Sequence, residues 1–127
     1  MEGESARLAA LRRSDQDITR ITDTIRELEA EIAGGTATTD SDFDFHRAIA
    51  RASGNVLLAE IVTALLPPRA VEGAGVAPGY LRGNRVLDEH NRIAEAIIAG
   101  QAESASLAMR YHIDQARIRL TDVERDL

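Results

Sequence analysis

The sequence contains no cysteine, no tryptophan and no lysine, and only three prolines in 127 residues. Without cysteine, disulfides and thiolate metal sites are excluded, and a cytoplasmic location is the default expectation. Aromatic residues make up 3% of the chain, so Ala, Ile and Leu must fill the interior, a composition that favours helix over sheet. No apolar run approaches the roughly 18 residues needed to span a bilayer, and Met1-Glu2-Gly3-Glu4 has nothing of a signal peptide. A positive surface is missing as well. The net charge is −6, with no basic cluster and no interleaved aromatics, which makes these residues a poor partner for nucleic acid.

What is present reads as one domain with room for a core. Residues 5–13 fit a first helix. Ser14-Asp15-Gln16-Asp17 resembles a capping box, opening a helix whose Ile18, Ile21, Ile25, Leu28 and Ile32 form a narrow apolar stripe, and Gly34-Gly35 ends it. Thr39 or Asp40 caps a third helix, which Ser53-Gly54-Asn55 interrupts. Residues 56–66 are apolar over most of a helical circumference, the pattern of a largely buried helix, and Pro67-Pro68 stops them. An irregular stretch at 69–83 precedes two more helices, one from Asn84 to Gly100 and one over residues 102–122. No strand alternation occurs, so the expected fold is all-α with about six helices.

The candidate chemistry lies in the three histidines. Asp42 and His46 stand four residues apart on one helical face, a spacing at which two side chains can share a metal ion. His90 lies ten residues before Gly100 and His112 twelve after it. At about 1.5 Å per residue, a hairpin at Gly100 brings them level. His90 shares a face with Val86, Ile93 and Ile97, and His112 with Ala105, Ala108 and Ala116, so both point inward. A histidine on an apolar face is ordinarily a core residue bonded to a carbonyl, and an acid near a helix start is favoured without any metal. Spacing alone leaves the metal site and the plain core side by side.

Three ordered motifs narrow this. Asp42-x-x-Phe45-His46 with Ser53-Gly54-Asn55, then Glu89-His90-x-x-Ile93-x-x-Ala96-Ile97-x-x-Gly100, then Ala108-Met109-x-x-His112-Ile113 resemble the FCD domain, the C-terminal effector-binding domain of the FadR subfamily of GntR-type bacterial transcription regulators. Arg7-Leu8-Ala9-Ala10-Leu11-Arg12 resembles the family's first effector-domain helix. The resemblance implies an antiparallel helical bundle that forms a homodimer and binds a small organic acid. It also implies a divalent metal held by Asp42, His46, His90 and His112, with zinc first and nickel, manganese or iron as alternatives.

An arginine near the pocket could clamp the effector's second carboxylate, with Arg7, Arg12, Arg82 and Arg85 as candidates. Residues 1–127 would then be the sensing domain, lacking the winged helix-turn-helix that family members carry ahead of it, so that DNA is reached only through that domain. No membrane partner is expected. The rival readings are a metal-dependent enzyme acting on a small carboxylate and a metal-free helical interaction module. No general base is evident, since Asp44 and Glu89 suit outer partners of the histidines, and the expectation is therefore a sensor and not an enzyme.

Overall fold

The computed structural model describes residues 1–35, 40–65 and 85–125, with side chains as far as Arg119. These residues form six α-helices and no strand: α1 (Glu2–Arg12), α2 (Asp15–Ala33), α3 (Asp40–Ala52), α4 (Val56–Leu65), α5 (Arg85–Ile98) and α6 (Ala102–Arg125). The all-α expectation holds. Thr39, Pro67, Pro68, Arg82, Asn84 and the stretch 69–83 lie outside the described residues.

Local chemistry sets the helix ends. Ser14 Oγ accepts from the Asp17 N–H at 3.1 Å while Asp17 Oδ2 accepts from the Ser14 N–H at 3.0 Å, a complete capping box on α2. Asn55 Oδ1 accepts from the Leu58 N–H at 3.0 Å and starts α4. The α5–α6 hairpin turns at Gly100, whose φ of +73° suits glycine. There the Gly100 N–H donates to Ile97 O at 3.0 Å and the Gln101 N–H to Ala96 O at 2.9 Å, the paired bonds of a Schellman turn.

The helices pack around a core of Ile21, Ile25, Phe45, Ile49, Ile93, Ile97 and Met109. Helix α1 presents Ala6, Ala9 and Ala10 to this core, and these small residues let it lie against α3, α5 and α6 together. Its position controls what surrounds the site.

Helix α4 departs from expectation. It packs on α3 and α1 and buries only Val62, whereas Val56 is 74% and Leu57 66% exposed. An apolar circumference identified it as an element to be covered. Among the described residues the other helices have closed their core without it.

Candidate metal centre

Asp42 sits in the first turn of α3 and His46 one turn later, so their side chains lie side by side. Phe45, between them in sequence, turns into the core and stacks on His90 of α5, with ring centroids 3.9 Å apart and planes 8° from parallel. The hairpin brings His112 of α6 to the same level, its ring 4.8 Å from that of His90 and 5.2 Å from that of His46. Asp42, His46, His90 and His112 are all buried, and one donor atom from each lies within 4.8 Å of every other.

The inner atoms are Asp42 Oδ1 and three Nε2 nitrogens. Asp42 Oδ1 is 2.7 Å from His90, 3.4 Å from His46 and 3.6 Å from His112, and the Nε2 atoms of His46 and His112 are 3.2 Å apart. Donors bound to one ion at about 2.0–2.2 Å are separated by about 3 Å, so the set has the right scale for a first-row divalent metal.

The outer nitrogens have acids. His112 Nδ1 lies 2.7 Å from Glu89 Oε1, and Glu89 is gripped in turn by Arg119 through two bonds of 2.8 and 3.1 Å. His46 Nδ1 lies 2.6 Å from Glu2 Oε1, a short ion-pair contact off the line of a hydrogen bond. A histidine that gives its Nδ1–H to a carboxylate presents a lone pair at Nε2. His112 meets that condition, and its Nε2 faces the His46 Nε2 at 3.2 Å and the Asp42 oxygen at 3.6 Å. His90 Nδ1 has no hydrogen-bond partner among the described residues, and the stacked Phe45 ring orients that imidazole.

Charge leads to the same result. Among the described residues, three carboxylates (Asp42, Glu2, Glu89) meet one guanidinium (Arg119), which leaves these groups two positive charges short. Without a metal, protons make up the difference. Burial opposes a charged imidazole at His46, but Asp42 and Glu2 outweigh it and hold the pKa up at about 10. His112 is raised against the same burial by Asp42 and Glu89. Burial pushes His90 down to about 4, with Asp42 resisting. Burial would raise both acids, yet the imidazoles keep Asp42 well below its usual range, and His112 with Arg119 keeps Glu89 at about 2. A divalent cation supplies the positive charge that the cluster lacks, and the residues present fit one.

Comparison with known proteins agrees with this architecture. The FCD domain family matches residues 1–115. The chain belongs to the FCD domain family. Among curated relatives, the HTH-type transcriptional regulator LutR of Bacillus subtilis (strain 168) is 34% identical over 113 residues, covering 85% of this chain and 52% of that protein. The Uxu operon transcriptional regulator of Escherichia coli (strain K12) is 27% identical over 129 residues, covering 96% and 50%. The chain thus spans about half the length of the curated relatives it matches. Both are named as transcriptional regulators, which are not enzymes.

Within this FCD domain the four expected ligand positions come together, and Arg7 and Arg12 stand apart from them. Arg7 pairs with Glu4 at 2.6 Å on the surface, and Arg12 donates to Ser53 O at 3.0 Å, bracing the α3–α4 turn. Arg85 is exposed beside Asp88 and Glu89, and Arg82 lies outside the described residues. Glu89 takes the outer role expected of it, whereas Asp44 bonds Arg47 at 3.1 Å. Sequence reasoning missed Glu2 and Arg119. The signal for Glu2 was its place one turn before Ser5 and Ala6, on the buried face of α1. Arg119 lies two turns after His112 on α6, a register that carries no pattern of its own.

Proposed function

We propose that this domain senses a small organic acid for a metabolite-responsive transcription regulator, using a divalent metal held by Asp42, His46, His90 and His112. The observation that carries the reading is the inward set of one carboxylate oxygen and three imidazole nitrogens, with an outer carboxylate against two of the rings, in a buried cluster short of positive charge. A bound divalent ion supplies there the Lewis-acid charge that attracts a carboxylate; zinc suits the donor set, and nickel, manganese and iron are compatible with it.

The chain's own residues would do the coupling. Glu2 ties α1 to His46 on α3, while Glu89 ties α5 to His112 on α6. A ligand binding one arrangement of these four helices better than another shifts the equilibrium between them. In a whole regulator, that shift would pass to DNA-binding domains in a cytoplasmic homodimer. The exposed Val56, Leu57 and Leu65 on α4 support pairing with a second copy.

Metal analysis and calorimetry on chelator-free, untagged protein test the metal. About one ion per chain, lost in His112→Ala, is expected; no binding of added Zn²⁺ or Ni²⁺ by the wild-type domain would refute the site. A thermal-shift screen of small organic acids tests the sensor, with saturable stabilisation that is absent in His90→Ala as the expected result.

A further inference from the structure

Helix α1 ends in two adjacent arginines that bind different helices. Arg12 Nη1 donates to Ser53 O at 3.0 Å, at the C-terminal end of α3. Arg13 Nη2 donates to Ile98 O at 3.0 Å, at the C-terminal end of α5. The last carbonyls of a helix have no partner within it and carry the negative end of its dipole, so each guanidinium meets a group that needs a donor. The glycine turns repeat the pattern. A Cβ on Gly54 would stand 3.1 Å from Arg12 Cδ, and one on Gly100 3.4 Å from Arg13 Nη2, whereas Gly35 after α2 has open space around it.

These two helices carry three of the four donors, Asp42 and His46 on α3 and His90 on α5. They meet where Asp42 Oδ1 lies 2.7 Å from His90 Nε2 and the Phe45 ring stacks on the His90 ring. Both helices pack on α1. His46 stands seven residues before Ser53 and His90 eight before Ile98, roughly 10 and 12 Å along each axis. The two bonds therefore hold the donors at matched heights from one point. A slide of either helix by a fraction of an ångström opens the Asp42–His90 contact, and donors that share one ion tolerate little of that.

We propose that Arg12 and Arg13 are positioning residues of the metal centre, together fixing the height of α3 against α5. Their bonds lie about two helical turns from the donors, and each acts through the helix whose end it holds. Because both belong to α1, a displacement of the C-terminal end of α1 changes the grip on the metal. This rests on reading the Asp/His cluster as a divalent metal site, and it names α1 as the element through which that grip is adjusted. It also gives Arg12 a role other than the effector contact expected from sequence.

The test uses Co²⁺ as the probe, reading affinity by competition with a chromophoric chelator and coordination geometry by visible absorption. The variants are Arg12→Ala, Arg13→Ala and the double variant R12A/R13A. Each single variant is expected to lose about three- to tenfold in cobalt affinity, with an altered cobalt spectrum. Releasing either arm already frees the register, so the double variant is expected to bind no more weakly than the weaker single. Ile25→Val, a core change on α2 that leaves both bonds in place, is expected to lower the urea midpoint and keep wild-type cobalt affinity. Wild-type affinity and spectrum in either single variant, a double variant weaker than both singles, or an equal loss in Ile25→Val overturns the positioning role. The single variants decide the matter if the double variant does not fold. Failure of wild type to bind cobalt overturns the metal reading beneath it.

Discussion

At the scale of single residues, the three histidines share one centre and differ in what stands behind them. Glu89, braced by Arg119, backs His112; partly exposed Glu2 backs His46; the Phe45 ring alone backs His90. Outer carboxylates fix the tautomer and raise ligand basicity, so Glu89→Gln should weaken metal binding by about 10- to 100-fold. A competition titration against a chromophoric chelator measures it, and an unchanged affinity would make Glu89 a bystander. Protons compete with the metal for the same nitrogens. The His46 pKa is raised to about 10, so at pH 7 the metal-free site holds a proton that binding must release. Affinity should therefore fall as pH falls. The heat of binding at pH 7 should vary with buffer ionisation enthalpy with a slope of about one proton per metal.

At the scale of elements, the site depends on turns that hold helix ends in register. Gly54 closes α3 at φ +70°, and a Cβ there would meet Arg12 Cδ at 3.1 Å, beside the Arg12–Ser53 bond. Gly35 has nearly the same φ, +69°, with open space around it. Gly54→Ala should cost about 1–2 kcal/mol from backbone strain, and more than Gly35→Ala if the Arg12 brace matters. Urea denaturation compares the two, and equal losses would mean that Arg12 adapts freely. The α5–α6 hairpin was legible because a fixed rise per residue sets two histidines level about one turn, whatever surrounds them. The place of α4 was not legible. An apolar circumference says that water is a poor neighbour and leaves open which surface, within the chain or outside it, provides cover.

At the scale of the molecule, the core and the charged cluster are stacked on each other, and stability should report on both. Ile93 is fully buried beside His90, and Ile93→Ala should cost about 2–5 kcal/mol. Exposed Leu57→Ala should change unfolding of dilute protein by under about 0.5 kcal/mol. A loss at Leu57 that appears only at high protein concentration would put α4 in a subunit interface. Metal binds the folded cluster, so saturating Zn²⁺ should raise the melting temperature, by about 2.7 kcal/mol of added stability at 100 times Kd, and a chelator should reverse it. An equal melting temperature with and without metal would argue that the cluster is an ordinary polar core.

Periodicity and spacing alone were enough to specify an all-α chain, the capping box at Ser14, the turn at Gly100 and the inward direction of His90 and His112. Those features depend on helical pitch and on the conformational preferences of single residues, which act locally. The partnership of Glu2 with His46, the grip of Arg119 on Glu89 and the exposure of α4 depended on the tertiary structure. Each depends on how one helix lies across another, and that is settled by the fit of small side chains on α1 against α3, α5 and α6 together.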